Sequence, residues 1–172
     1  MKKECKDKMI FVTVGTHEQQ FNRLVEYMDK WAAEHDEKVV IQVGYSTYEP
    51  KHCEWGKLFP YQKMIEMVNV ARIVITHGGP SSFIMPLQIG KIPIVVPRQY
   101  KYNEHVNDHQ VKFCHQVEER MGAIVVVEDI EALGGVIGNY DKIKREGKNT
   151  SNNVRFCKAL KGIVNEMFEG KK

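Results

Sequence analysis

Residues 72–110 read RIVITHGGPSSFIMPLQIGKIPIVVPRQYKYNEHVNDHQ. Ile73-Val74-Ile75 is a short apolar, β-branched run of the kind that forms a buried strand. It ends in Thr76-His77-Gly78-Gly79-Pro80-Ser81-Ser82. A helix is expected from about Ser81 to Ile89, stopped at Gly90. A second apolar run, Ile94-Val95-Val96, then opens into a polar loop over 97–108 that is crowded with Asn, His and Asp. Strand, glycine turn, helix start, strand and polar loop, in that order, are the grammar of a site that holds a phosphate-bearing ligand at a helix N-terminus, the alternative being a plain tight turn with Ser caps.

The same grammar extends outward in both directions. Met9–Val14 reads as a buried strand that stops at Gly15-Thr16-His17-Glu18. Phe21, Leu24, Val25, Met28, Trp31 and Ala32 then recur at helical spacing and predict one apolar helix face. Lys38–Val43 is the next strand, ending at Gly44. Residues 44–58 lack a period and read as a loop, with a short strand placed near Phe59. Pro60 can open a helix whose buried side is Met64, Ile65, Val68 and Ala71. Beyond the central stretch, Asp108 is placed to N-cap a helix with core residues Val111, Cys114, Val117 and Met121. Ala123–Val127 reads as a strand and Asp129–Ile137 as a helix. Strands alternating with amphipathic helices predict one α/β domain, a Rossmann-like, doubly wound and mainly parallel sheet, over residues 9–138. A charged lead-in is expected over 1–8 and a polar, breaker-rich linker over 139–153. A C-terminal amphipathic helix over 154–172 would use Phe156, Leu160, Ile163, Val164, Met167 and Phe168. That helix either docks on a partner or packs on its own domain.

The bulk numbers narrow the class. A chain of 172 residues, 42% hydrophobic and 27% charged, suits one soluble globular domain. The net charge of +3, without a dense basic stripe interleaved with aromatics, argues against nucleic acid. It agrees weakly with an anionic ligand or membrane surface. Cys5, Cys53, Cys114 and Cys157 are far apart in sequence and read as reduced thiols. MKKECKDK has no apolar segment of a signal peptide, and no apolar run approaches the ~20 residues of a membrane-spanning helix. A cytoplasmic location is expected, with any membrane association arising through a partner or a surface patch.

On a parallel sheet, ligands gather at the carboxyl ends of the strands. Gly15–Gln20, Gln42–Tyr48 and Thr76–Ser82 lie there together, so one shared pocket is expected. Gly78 and Gly79 carry no Cβ and would let the backbone approach a ligand closely. Ser81 and Ser82 offer hydroxyls and N–H groups at a helix start, where the dipole favours an anion. The turn is neither a Walker A loop nor a GxGxxG fingerprint. His77 at the strand end either faces the pocket or is a structural histidine bonded to backbone. Glu18 either caps a helix or acts as a base. His105 and His109 have the spacing of paired metal ligands. Their surroundings predict a loop instead, and recognition of a sugar or ribose. No Gly-x-Ser-x-Gly nucleophile elbow is present.

At these residues the chain resembles the C-terminal, nucleotide-sugar-binding half of the GT-B glycosyltransferases of the peptidoglycan N-acetylglucosaminyltransferase type. Within that family it is similar to two free-standing half-enzymes. One is the dolichol-pathway UDP-N-acetylglucosamine transferase catalytic subunit. The other, the nearer, is the bacterial exopolysaccharide or capsule subunit that pairs with a membrane-associated partner. The pieces that carry the resemblance are FVTVGTHEQQF at Phe11–Phe21, VIQVGYS at Val40–Ser46, ITHGGPSSF at Ile75–Phe83, GKIPIVVPR at Gly90–Arg98 and EHVNDHQ at Glu104–Gln110. They run in order over about residues 9–130.

The resemblance implies a UDP-sugar donor, a lipid-diphosphate-linked sugar acceptor, a membrane-associated partner subunit, and no cofactor or bound metal. The donor-binding set it implies is Gly15, Thr16, Gln42, Gly44, Phe59, His77, Gly78, Gly79, Ser81, Ser82, Arg98, His105, Asn107, Asp108, His109 and Gln110. His17 and Glu18 are the candidate general bases. In one respect the chain departs from the pattern. Relatives carry a ribose-binding glutamate about eight residues after the position of His77, where this chain has Met85 followed by Pro86. That departure keeps a second possibility open, a non-catalytic subunit that stabilises a partner transferase. A third, an unrelated phospho-ligand hydrolase, would turn over alone. A GT-B cleft has two domain walls and one domain supplies one of them, so the other wall is expected on another chain.

Overall fold

The computed structural model describes residues 8–146 and 153–169. Residues 1–7 of the expected lead-in, 147–152 of the expected linker and 170–172 at the chain end lie outside the described residues. The strands are β1 (Met9–Thr13), β2 (Lys38–Gln42), β3 (Glu54–Gly56), β4 (Ile73–His77), β5 (Ile94–Val96) and β6 (Val125–Val126). The helices are α1 (Asn22–Glu34), α2 (Tyr61–Val70), α3 (Pro80–Gln88), α4 (His109–Met121), α5 (Leu133–Gly138), α6 (Tyr140–Glu146) and α7 (Asn153–Glu169). All strands pair in parallel, in the order β3-β2-β1-β4-β5-β6. The order reverses between β1 and β4, and on such a sheet that switch point is where ligands sit.

Alternation along the strands sorts the core. Ile10 and Val12, Ile73 and Ile75, and Ile94 and Val96 face one side, where Leu24, Val25 and Met28 of α1 meet Leu133, Ile137 and Tyr140. Met9, Phe11, Val40 and Val74 face the other side and pack with Val68 and Ala71 at α2. Beside them, Val95 packs with Phe83 of α3 and with Phe113, Cys114 and Val117 of α4. Both faces are covered, which is why these strands are continuous apolar runs.

Several expectations change. The short strand expected near Phe59 lies at Glu54–Gly56 and extends the sheet beyond β2. It forms there because α1 holds the preceding loop. The buried Asp29 carboxylate accepts N–H bonds from Lys51 and His52 and the Tyr48 hydroxyl. Burial pushes its pKa up, but those bonds outweigh burial and leave it below its ordinary value. The expected linker contains a helix over Tyr140–Glu146. Tyr140 is only 1% exposed, and its hydroxyl donates to Ile92 O, so this segment is fastened to the core. The single helix expected over Asp129–Ile137 divides into a 3-10 turn at Ile130–Ala132, capped by Asp129, and α5.

The C-terminal helix packs on its own domain. Ile163 is buried with Phe113, Cys114 and Val117, Leu160 lies against the same cluster, and Arg120 of α4 pairs with Glu166. Among the described residues, no helix is long and apolar enough to cross a membrane. Ile163→Ala should lower the unfolding free energy by about 2–4 kcal/mol. The exposed control Lys161→Ala should stay within about 0.5 kcal/mol in the same urea titration.

Candidate functional site

The loops after β1, β4 and β5 meet at the carboxyl edge of the switch point. Arg98, the first basic residue after β5, joins the β1 and β5 loops and is 0% exposed. Its Nη1 donates to Gln19 O, Gln20 O and Glu104 O, and its Nη2 to Val14 O at 2.8 Å. The guanidinium also lies over the Phe21 ring, 4.8 Å from its centroid. Burial pulls its pKa down to about 10 against the opposing pull of Glu104, so it stays charged at neutral pH. A second layer supports it. The wholly buried Glu104 carboxylate takes a two-pronged ion pair from Arg23 at 2.8 and 2.9 Å and the Gln99 N–H at 3.0 Å. The sequence points Arg98 at a donor; the structure turns its side chain to backbone carbonyls, and it acts as a clamp between two loops.

His77 plugs the gap between the β1 and β4 loops. Gly79 N–H donates to its Nδ1 at 3.0 Å, which places the ring proton on Nε2, 2.7 Å from Ser82 Oγ. Burial, then the Arg98 charge, holds its pKa at about 3. The neighbouring glycines make room for this ring. A Cβ on Gly15 would lie 2.3 Å from His77 Nε2, and one on Gly79 would lie 2.3 Å from His77 Cε1. At Gly78 a Cβ would meet Cys114 Sγ and Gln110 Oε1, each at 2.9 Å. The glycine turn therefore accommodates protein side chains. His77 takes the structural role left open by the sequence.

The remaining expected residues divide into supports and exposed groups. Gln42 is turned inward: Oε1 accepts from Phe59 N and Nε2 donates to Thr13 Oγ1. Gly44 sits at φ +55°, where a Cβ would lie 2.7 Å from Gly15 O. Phe59 stacks on Phe11 with ring centroids 6.2 Å apart. Gln110 Oε1 accepts from Arg98 N. Asp108 occupies the N-cap position of α4 without capping it, because its carboxylate accepts from Tyr100 N; Asn107 Oδ1 takes the His109 N–H instead. Glu18 does not cap α1, which starts only at Asn22. Thr16, His17, Glu18, Ser81 and His109 are exposed, and Ser82, His105 and Asn107 are partly so. His17 and His105 bring their rings to 5.0 Å between centroids. Met85 points its side chain into the α2 cluster with Val68 and Val74. Among the described residues, no group of three or more His, Cys, Asp or Glu could hold a metal ion.

Residues 9–161 match the glycosyltransferase family 28 C-terminal domain. The chain belongs to that family. A search of curated proteins finds no match. Among solved structures, the glycotransferase of kitacinnamycin superposes with a TM-score of 0.59 at 16% identity, covering 96% of this chain and 41% of its own. The spinosyn forosaminyltransferase SpnP gives a TM-score of 0.58 at 13% identity over 91% of this chain and 40% of its own. The glycosyltransferase SnogD from Streptomyces nogalater gives 0.51 at 16% identity over 94% and 45%. These likenesses establish the shared fold, and this chain spans less than half the length of each. Family 28 membership carries a glycosyltransferase domain, so the edge described above is the candidate seat of a nucleotide-sugar donor.

Arg98, Glu104 and Arg23 form the part of the site that sequence reading missed as a unit. The faint signal was an acidic residue, Glu104, in a loop between two apolar elements, with no local partner.

Two outcomes test this geometry. Gly79 has φ −77° and ψ 130°, so alanine adds no backbone strain there. Gly79→Ala should still cost about 1–3 kcal/mol through its clash with His77. In a His77→Ala background most of that cost should vanish, a coupling that urea unfolding of the four proteins would measure. Second, His77 titrates at 6.5 when unfolded and at about 3 when folded. The unfolded state binds the extra proton, so stability is full above 6.5 and falls as pH drops toward 3. The native chain should lose stability over that window more steeply than His77→Gln.

Proposed function

We propose that this chain is the donor-binding subunit of a two-component glycosyltransferase that transfers a sugar from a UDP-sugar to a lipid-diphosphate-linked acceptor. The place in exopolysaccharide or capsule synthesis follows the resemblance to half-enzymes of that kind, as does the attachment to the inner face of the membrane through a partner. One observation carries the reading: in a family 28 domain, Arg98 clamps the β1 and β5 loops at the switch point of the sheet, and His77 packs the β1 loop against the start of α3. Thr16, His17, Ser81 and His109 are exposed there and reachable by a ligand.

In the proposed reaction an acceptor hydroxyl attacks the anomeric carbon from the face opposite the diphosphate. The new C–O bond forms as the bond to the diphosphate oxygen breaks, and UDP departs with inversion. The hydroxyl proton passes to a base on the β1 loop, His17 or Glu18. Loop N–H groups and hydroxyls stabilise the charge that develops on the leaving diphosphate. The partner supplies the acceptor wall.

A second reading, a non-catalytic subunit that stabilises a partner transferase, is favoured by Met85. The position of a ribose-binding carboxylate is filled by a side chain packed on α2.

Calorimetry with UDP separates the two. The catalytic reading expects binding, weakened about three- to tenfold by Ser82→Ala, the equivalent of one hydrogen bond. Absence of UDP binding, with and without the partner, would sink it. In the reconstituted pair, loss of the true base should lower kcat by about 10²–10⁴-fold.

A further inference from the structure

Two imidazoles meet at the mouth of this edge. His17 comes from the β1 loop and His105 from the β5 loop, with ring centroids 5.0 Å apart and planes tilted by 44°. His17 also contacts Gln19 Oε1 through Nε2 at 3.0 Å. His17 is exposed and His105 half-buried. The His105 Nδ1 is enclosed and lacks a fully formed hydrogen bond, with Asn107 beside it.

The charges around the pair are few. From the β5 loop, Arg98 bears on His105 and carries a positive charge that never leaves at neutral pH. Its two Nη groups already serve backbone carbonyls, so it contributes potential but few donors. Glu104, next to His105, has its carboxylate committed to Arg23 and Gln99. Asp108 is held by Tyr100 N. From β4, His77 is neutral with its pKa at about 3. From the β1 loop, Glu18 is exposed beside His17. Burial, then the neighbouring His17, keeps His105 below its ordinary value. Without an anion, His105 stays neutral beside a second imidazole and a fixed guanidinium. An anion seated against the edges of both rings reverses that balance, because it stabilises the imidazolium form.

We propose that the His17–His105 pair takes up one proton from solvent when the diphosphate of a nucleotide binds, and so supplies the mobile positive charge that balances it. This rests on the donor-binding reading above. The proton belongs to the pair, as expected of coupled sites. A pair that holds a proton in the donor-bound state cannot also accept one from the acceptor hydroxyl. His17 is thereby removed as the base, and Glu18 is left. The leaving UDP also gains a neutralising charge on its own loop. The sign is fixed: affinity is highest where the pair is readily protonated, and it weakens by at most about tenfold per pH unit as pH rises between the free and bound pKa values.

The test is calorimetry of the full chain with UDP near pH ~7, in buffers of different ionisation enthalpy, for the native protein and the His17→Gln/His105→Gln double variant. The terminal phosphate of UDP titrates near ~6 and contributes equally to both proteins, so the difference between them is the readout. The native chain should take up about one more proton per UDP than the double variant. Equal uptake with UDP bound overturns the inference and leaves the donor site standing. No UDP binding to the native chain overturns both. Should the double variant bind too weakly to measure, UDP-glucose on the native chain decides, since its diphosphate does not titrate near neutrality. An affinity that is flat between pH ~6 and ~8.5 overturns the inference, and a steady weakening supports it.

Discussion

A guanidinium removed from water costs several kcal/mol unless the surrounding dipoles match it, and Arg98 is wholly buried. The fold answers with carbonyls from two loops. Val14, Gln19 and Gln20 lie on the β1 side of the switch point and Glu104 lies on the β5 side. Their partial charges can satisfy one cation only if the loops hold a single geometry. The carbonyl cage in turn needs the β5 loop folded back, which the Glu104 carboxylate secures through Arg23 on α1 and the Gln99 N–H. Two cations and one buried anion thus tie α1, β1 and β5 together at one edge. Removing either partner of the Arg23–Glu104 pair leaves a charge uncompensated, a loss on the order of 3–5 kcal/mol for buried pairs.

The second constraint is steric. Gly15 and Gly79 each face the His77 ring, and Gly44 faces the Gly15 carbonyl. Each loop is therefore set against its neighbour through a missing Cβ. The His77 ring must remain neutral, because a charged imidazole would sit unsolvated beside Arg98. Electrostatics and packing converge here: burial and the fixed charge of Arg98 hold His77 neutral, and a neutral ring can accept the Gly79 N–H. On the proposed reading a ligand lies over these loops, where Thr16 and Ser81 are exposed.

How much of this was legible in the sequence follows from the range of each interaction. Strand and helix order was legible because apolar period is local: Ile73–Ile75, Ile94–Val96 and the Phe21–Ala32 face each announce themselves within one element. The meeting of these loops was legible because a parallel sheet forces them to one edge. The roles within it were not. Arg98 reaches Val14 across 84 residues, Arg23 reaches Glu104 across 81, and Asp29 holds Lys51 across 22. No local pattern marks such pairs. His77 and Arg98 were visible as polar residues at strand ends, but whether they point to a ligand or to the chain depends on tertiary space. Tyr140 within an otherwise polar run is a comparable case, since one buried aromatic fastens the first part of the expected linker, a helix over Tyr140–Glu146, to the core.

The packing of α7 bears on where a second wall could stand. Ile163 and Leu160 pack that helix against the α4 cluster, and Arg120–Glu166 closes the seam. Exposed apolar side chains at the carboxyl edge include Tyr45, Leu58, Tyr100 and Val106, on the loops after β2, β3 and β5. Val106 is 68% exposed and sits one residue from His105. A partner that closes a cleft over the proposed donor site would meet these side chains first. It would also lower the dielectric around the two histidines and strengthen every charge interaction there. Closure would favour a protonated pair only when the anion is already present, because desolvation alone drives imidazoles neutral. Donor first and wall second is therefore the order that this arrangement of charges favours on the proposed reading.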